Sequence, residues 1–390
     1  MEKKKNILVV HNYYQIPGGE DTVVANEVKM LEEHGHEVTL YTRKNSEINE
    51  LPFIKKLLLP FTSIFSLRTY REVKRIIRDK RIDIVHVHNT LTMISPSVYY
   101  AALACKVPVV QTIHNFRLIC PGATFYREGH ICEDCTTKGL RCAIKHGCYR
   151  ESRMQTFACV VNMLFHRMVG VYGRLNYICL TEFNKEKILN LKQINPQRVF
   201  VKPNFVIGQN AFPCREERLD QFVFVGRLEK LKGIDVLLNV WTKLGKEAPK
   251  LIVCGSGPLN DWCKRFVGES GCNVEFRGYV SNEEIRTILS QSKAMILPTQ
   301  CYEGFPMSIV ESFSVGTPVI VPAMGNCGCI VNDNVTGWKY RSIEELMKCV
   351  WRGRSTSLFD TVRTHFEAQF TESINYELLD HIYSIVSQGQ

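Results

Sequence analysis

Two kinds of stretch alternate along the whole chain. Short runs of β-branched and other apolar residues are followed by segments whose apolar residues recur at helical spacing. Asn6–His11, Val38–Arg43, Asp83–His88, Val107–His114, Tyr177–Thr181 and Val199–Pro203 read as strands in the first half. Gln221–Gly226, Lys250–Gly255, Val274–Tyr279, Ala294–Pro298 and Pro318–Pro322 read so in the second. Nearly continuous apolar runs suit strands covered on both faces, hence parallel sheets with crossover helices. The pattern predicts an α/β chain made of two doubly wound domains. The polar stretch Gly208–Asp220, with Pro213 inside it, reads as the linker, and Ile374, Leu378, Ile382 and Ile385 predict a closing helix.

Composition narrows the class. The chain has 390 residues, 45% hydrophobic and 23% charged, enough for real cores and far from a disordered composition. No apolar run reaches the ~18 to 20 residues of a membrane-spanning helix, and Ile7–Val10 is too short for a secretory signal core. The expectation is a cytoplasmic protein whose 16 cysteines stay reduced. The formal net charge of +10 is unevenly spread. Residues 1–200 carry 29 Lys+Arg against 18 Asp+Glu, and the remainder carries 20 against 21.

Three glycine-bearing turns follow predicted strands: Pro17-Gly18-Gly19-Glu20, Gly255-Ser256-Gly257-Pro258 and Gly304-Phe305-Pro306. Such turns let backbone approach a phosphate, because the next helix opens there with unpaired N–H groups and a positive dipole end. None has the full dinucleotide fingerprint or a P-loop lysine. Arg227 and Lys232, in Gly226-Arg-Leu-Glu-Lys-Leu-Lys-Gly233, add cations at the carboxyl end of a strand, where open α/β sheets bind ligands. Glu303 and Glu311 are separated by seven residues. With a helix starting near Pro306, the first acid lies in the loop and the second inside the helix.

In this order, Lys202-Pro-Asn204, Gly226–Gly233, Gly255-Ser-Gly-Pro258, Arg277-Gly-Tyr-Val280, Pro298–Glu311 and Gly316-Thr-Pro-Val-Ile320 resemble the family-4 retaining glycosyltransferases. The resemblance implies the GT-B fold, two Rossmann-like domains facing a cleft. Residues 1–207 would form an acceptor-side domain carrying a Cys-rich insertion at 116–150. Residues 208–372 would bind the donor, and 373–390 would form a helix crossing back to the first domain. It also implies roles. Arg227 and Lys232 would neutralise a diphosphate, Glu303 would hold sugar hydroxyls and Glu311 the ribose. Amides around Gly304, Phe305, Pro306, Met307 and Ser308 would assist, with Gly226 and Gly257 close to the phosphates. Backbone at Gly278, Tyr279 and Val280 would face the base. Gly18 and Gly19 would approach the diphosphate, and His114 would stand near the reacting sugar or acceptor. Gly325–Ile330 departs from the family's usual acidic, glycine-rich stretch.

The implied reaction transfers a sugar from a UDP- or GDP-linked donor to a glycan or polyprenyl-lipid-linked acceptor with retention. Because no Asp-x-Asp motif is present, no catalytic metal cofactor is expected. Alternatives within the fold are a sugar-nucleotide epimerase or a phosphorylase. His86 and His88, alternating with Val85 and Val87, read as structural.

Five cysteines fall between Cys120 and Cys148, with a Cys132-x2-Cys135 pair that is a common half-site for zinc. The preferred ligand set is Cys120, Cys132, Cys135 and Cys148, with Cys142 as the competing fourth. An iron–sulfur cluster and ordinary thiols are the other readings. Leu51–Arg81 holds nine basic and two acidic residues beside Leu57–Leu59, Phe61, Ile64 and Phe65. A basic, apolar-flanked face suits an anionic membrane surface. The competing reading, a zinc-containing nucleic-acid binder, lacks a recognisable helix-turn-helix and the His spacing of a zinc finger, so no nucleic-acid partner is expected.

Overall fold

In a computed structural model of the chain, residues 4–15, 18–207 and 218–388 are described. Pro17 and most of the expected linker, residues 208–217, lie outside them. Two compact units divide the chain. The first comprises Met1–Phe125, Cys132–Asn204 and Asn375–Gln390; the second comprises Tyr126–Ile131 and Phe205–Ile374.

Strands β1 (Asn6–Tyr13), β2 (Glu37–Lys44), β3 (Ile84–Asn89) and β4 (Val109–Ile113) open the first sheet. A short hairpin, β5 (Tyr126–Arg127) with β6 (His130–Ile131), follows in sequence, and β7 (Asn176–Cys179) and β8 (Val199–Val201) complete the sheet. Its order is β2-β1-β3-β4-β7-β8, and every pairing is parallel. The reversal of direction beside β1 is the mark of a doubly wound sheet. Ile7 to Val10 and Ile84 to Val87 are buried, as expected of strands covered on both faces.

The second sheet contains β9 (Leu219–Val225), β10 (Lys250–Cys254), β11 (Val274–Gly278), β12 (Ser292–Ile296), β13 (Val319–Pro322) and β14 (Gly337–Tyr340). Its order is β11-β10-β9-β12-β13-β14, again wholly parallel. Its core gathers Phe222, Phe224, Leu237, Trp241, Val253, Ile296 and Trp338, with Trp262 packed at the margin. The Trp241 indole N–H is satisfied by the Pro249 carbonyl at 2.8 Å.

Three local expectations change. Leu219 and Asp220 belong to β9 rather than to a linker, because Leu219 registers against Ser292 of β12. β14 escaped the hydropathy pattern because glycine opens it and Lys339 interrupts its apolar run. The closing helix runs Glu372–Gln388, but its buried stripe is Asn375, Tyr376, Leu379, Ile382, Tyr383 and Val386. Ile385 faces outward. The stripe is offset because polar groups lie on the buried face and find partners: Asn375 donates to the Pro203 carbonyl, and the Tyr383 hydroxyl meets His86.

Candidate functional site

In the second unit, the loops leaving β9, β10 and β12 are packed against one another through backbone. Gly255 has φ +141°, and a Cβ there would fall 1.9 Å from the Gly226 carbonyl oxygen. Gly233, at φ +70°, would collide equally with the Pro298 carbonyl. Only glycine allows these approaches. The consequence is a set of strand-end loops with little side-chain cover, cross-tied by Leu228 N–H to Ser256 O and Gln300 N–H to Leu231 O.

Lys232 ends the short helical turn Lys230–Lys232, and its ammonium reaches both carboxylate oxygens of Glu303 at 2.7 and 2.8 Å. The Thr299 hydroxyl donates to the same carboxylate at 2.8 Å. Burial opposes charge on Lys232, but the Glu303 carboxylate outweighs it and holds the ammonium pKa above its ordinary value. Glu303 sits at φ +46° in a turn held from behind by the Asn326 amide, which donates to the Glu303 and Gly304 carbonyls at 2.7 and 2.6 Å.

Helix Met307–Ser314 follows, with Pro306 as its N-cap residue, so the N–H groups of Met307 and Ser308 open toward the loop. Phe305 is buried near Phe370. Glu311 lies inside the helix; burial raises its pKa, partly offset by Arg286. Arg227 is more than half exposed and faces Glu229 at 3.7 Å, outside the Lys232–Glu303 pair. Gly278 accepts from Gly255 N–H, Tyr279 projects outward and Val280 is buried.

The first unit gathers a different chemistry. Glu27 is buried and pairs with buried Lys202 at 3.0 Å, whose ammonium also bonds Asn375. The other Glu27 oxygen lies 3.1 Å from His86 Nδ1 and 3.5 Å from His88 Nε2. His88 Nδ1 in turn meets His114 Nε2 at 2.9 Å. Although burial opposes the charge of Glu27, Lys202 and the histidines hold its pKa well below the ordinary carboxylate value. Burial lowers His86 to about 3 and His114 well below its ordinary value, so both rings are neutral near pH 7.

Glu27, His86 and His88 are close enough to suggest a metal site. The pairing argues otherwise. His86 already bonds Tyr383 and Thr112 through its two nitrogens, and a lysine cation occupies the carboxylate. His86 is a structural histidine; His88 additionally orients His114.

His88 and His114 line a cavity of about 470 Å³ within this unit. Its walls include Leu57 and Pro60 from helix Phe53–Ile64, Arg117, Tyr149, and Met154 and Ala158 from helix Arg153–Met168. Both helices present apolar side chains to solvent: Phe53 is 79% exposed, Phe61 70%, Met154 81% and Phe157 57%. The helices are tied together by Asn162 donating to the Ser63 carbonyl and His166 facing the Ile64 carbonyl. Alongside, helix Leu67–Asp79 buries Thr69, Val73 and Ile77 and exposes Arg68, Arg71, Arg75 and Arg78.

Gly18 N-caps helix Gly19–Glu33, where its N–H donates to Asp21 at 3.0 Å. Sequence reasoning passed over the neighbouring polar cluster. His11 bonds Asp21 at 2.8 Å and is lowered by burial to about 4, while Glu20, bonded by Tyr14, is raised by burial to about 8. It also gave no role to Thr299, Asn326, Glu27 or Lys202, although Thr299 and Lys202 stand in segments that carry the resemblance. An asparagine in the departing segment Gly325–Ile330 was the one visible hint for Asn326.

Among the predicted metal ligands, Cys120 and Cys148 flank Gly122, where a Cβ would stand 3.7 Å from Cys120 Sγ and 3.8 Å from Cys148 Cβ, and Cys135 and Cys148 pack against the small core of Leu140, Ala143, Val160 and Met163. Cys142 sits on the short helix Arg141–His146.

Two family models match the chain: "Glycosyltransferase Family 4" over residues 17–207 and "Glycosyl transferases group 1" over 213–345. A component of the human phosphatidylinositol N-acetylglucosaminyltransferase is 24% identical over 345 residues, covering 85% of this chain. The match takes in 64% of that relative, under two thirds of its length. A glycosyltransferase from Rickettsia africae has the same fold at TM-score 0.70 and 16% identity, covering 99% of this chain and all of that one. Anabaena HepE, solved with UDP and glucose, does so at TM-score 0.65 and 13% identity over 97% of this chain and all of HepE. The fold is GT-B, and with both halves matched in order the chain belongs to the family-4 glycosyltransferases.

Proposed function

We propose that the chain is a retaining glycosyltransferase that moves a sugar from a UDP- or GDP-linked donor to a polyprenyl-linked or glycan acceptor. The observation that carries the reading is the Lys232–Glu303 pair at loops opened by glycine, followed directly by a helix N-terminus. In the reaction, the bond between the anomeric carbon and the diphosphate oxygen breaks. The acceptor oxygen bonds that carbon on the same face, and its proton passes to the leaving phosphate. Negative charge grows on the diphosphate as the bond breaks. Fixed cations and helix N–H groups stabilise that charge more in the transition state than in the ground state. Lys232 and Arg227 are assigned to it, and the side-chain-free backbone of Gly18 and Gly19 to the approach of the diphosphate. Glu303, already fixed by Lys232 and Thr299, accepts from sugar hydroxyls, and Glu311 accepts from the ribose. The catalytic step uses no metal.

His114, neutral and oriented by His88, is the group assigned to the reacting sugar or acceptor hydroxyl, and the cavity beside it is assigned to the acceptor. The exposed apolar helices support a lipid-linked acceptor and a peripheral place on an anionic, cytoplasmic membrane face, with Arg71 and Arg75 against the headgroups. No helix among the described residues is long and apolar enough to cross a membrane. The acceptor named for the human relative, phosphatidylinositol, is also a lipid.

The deciding experiment is a panel of UDP- and GDP-sugars scored by thermal shift and by slow donor hydrolysis, with Glu303→Ala and Arg227→Ala alongside. One nucleotide sugar should stabilise the chain and be hydrolysed, and both variants should lose this. If none is bound or turned over, the reading fails.

A further inference from the structure

We propose that Glu27 and His88 are positioning residues that fix the tautomer of His114. In that tautomer Nδ1, the nitrogen left for the cavity, carries a lone pair and receives an O–H group of a reacting ligand. The tautomer belongs to the first unit alone. That the O–H partner is a sugar hydroxyl or the attacking hydroxyl rests on the function proposed above.

The contacts start from a charge. The Lys202 ammonium is buried and meets Glu27 Oε2 at 3.0 Å and the Asn375 side-chain oxygen at 2.8 Å. Asn375 is oriented at its other end, where the amide donates to the Pro203 carbonyl. Among the described residues, Glu27 supplies the carboxylate at this ammonium, so a neutral Glu27 would strand a buried cation. An ionised carboxylate accepts hydrogen bonds and donates none.

Glu27 Oε1 and His88 Nε2 lie 3.5 Å apart, and both are buried with no other hydrogen-bond partner among the described residues. The distance is at the long end of the range, and His88 Nε2 is satisfied there only by donating. His86 Nδ1 approaches the same oxygen at 3.1 Å, and that oxygen has lone pairs for both. An imidazolium at His88 would set a second cation against one carboxylate inside the unit. The network therefore holds His88 as a neutral ring, with its proton on Nε2 and a lone pair on Nδ1.

His88 passes the constraint to His114. His88 Nδ1 and His114 Nε2 are 2.9 Å apart, and two facing lone pairs would repel at that distance, so His114 Nε2 donates. The ring planes are within 24° of parallel and the centroids are 5.2 Å apart. That is about as far as nitrogens at 2.9 Å allow, so the N–H points along the accepting lone pair. Burial keeps the His114 ring neutral, and Nδ1 is left as its acceptor. Among the described residues no protein group bonds that nitrogen, and the ring lines the cavity. A lone pair there draws an O–H and repels a phosphate or carboxylate oxygen. Because the attacking hydroxyl gives its proton to the leaving phosphate, His114 orients an O–H and takes no proton from it. Glu27→Gln would reverse the pattern. Lys202 would hold the amide oxygen, the amide N–H would face His88 Nε2, and both imidazoles would move their proton to Nδ1.

The test is nitrogen-15 NMR of the histidine rings in the full chain, with signals assigned through His88→Asn and His114→Asn. Wild-type His88 and His114 should both carry the proton on Nε2, and a coupling across the N–H···N contact should join them. In Glu27→Gln both protons should sit on Nδ1. Wild-type rings protonated on Nδ1 or on both nitrogens would overturn the proposal, as would a folded Glu27→Gln with the wild-type pattern. Should that variant fail to fold, the wild-type spectrum decides. These spectra need no ligand, so the tautomer stands or falls by them even if no nucleotide sugar is bound and the proposed function fails. In slow hydrolysis of the nucleotide sugar that the panel selects, water takes the place of the attacking hydroxyl. There Glu27→Gln should lower turnover on the order of 10- to 100-fold, the scale of one mispaired polar group. Inverted tautomers with turnover intact would refute the O–H role of Nδ1.

Discussion

The two units spend their polar residues in opposite ways. The second places Lys232, Glu303 and Arg227 on strand-end loops and relies on glycine backbone to bring those loops together. The first buries Glu27, Lys202, His86 and His88 inside the unit, where the Glu27 carboxylate faces the Lys202 ammonium and the two imidazoles. Net charge misleads on both counts. The half with the basic surplus has a mutually compensated interior and carries its surplus on helix surfaces such as Leu67–Asp79. The nearly neutral half places its candidate donor-site cations, Lys232 and Arg227, each beside a carboxylate on a strand-end loop.

The largest expected effect tests the buried side of that contrast. Lys202→Met leaves Glu27 without its cation and should cost on the order of 3–5 kcal/mol in urea unfolding. A cost as small as that of a surface ion pair would show that the interior does not depend on it.

Next in size, Lys232→Ala should lower donor turnover on the order of 10² to 10³, the scale for one electrostatic donor, while leaving stability far less changed than Lys202→Met does. Equal losses of stability in the two variants would erase the distinction between a site and a core.

Acid should separate the units further. Burial lowers His11 to about 4, His86 to about 3 and His166 to about 4, all in the first unit. Their folded pKa values lie below the unfolded value near 6.5, so below that pH the unfolded chain binds more protons. The histidine contribution is complete above about pH 6.5 and falls as pH drops toward 4; Glu20, raised to about 8, opposes it, its contribution being full below about pH 4.5 and lost as pH rises toward 8. Glu27, held below its ordinary value, adds a loss that begins under about pH 4.5. In the second unit His365 is the histidine lowered by burial, among the described residues. Unfolding followed by hydrogen exchange should show first-unit amides losing protection at higher pH than second-unit amides.

The smallest effect concerns the surface. Arg71→Ala and Arg75→Ala should each weaken binding to anionic vesicles by about 1 kcal/mol, roughly fivefold, and salt should weaken the wild type in the same direction. Binding indifferent to both would remove the membrane from the proposal.

Much of the fold was legible because parallel strands advertise themselves as unbroken apolar runs, and β1, β3, β9 and β10 do so plainly. β14 did not, since a glycine and a lysine break its run. Glu303 and Glu311 could be read together because a turn and a helix start connect them within the local chain, whereas Lys232 meets Glu303 across 71 residues and was set beside it by the family resemblance alone. Thr299 and Asn326 could not, because their part is to brace the Glu303 turn, one through a side chain and the other through backbone carbonyls. Glu27 and Lys202 are 175 residues apart, and no local pattern joins a helix residue to a strand end across that distance.

All four tryptophans, Trp241, Trp262, Trp338 and Trp351, fall in the second unit, two of them in its core. Excited at the red edge of absorption, the unlabelled chain therefore emits from one of its units alone. A nucleotide-sugar titration read by tryptophan emission would report the candidate donor unit without dilution by the other. A lipid or acid titration that changed tyrosine emission before tryptophan emission would be reporting the first.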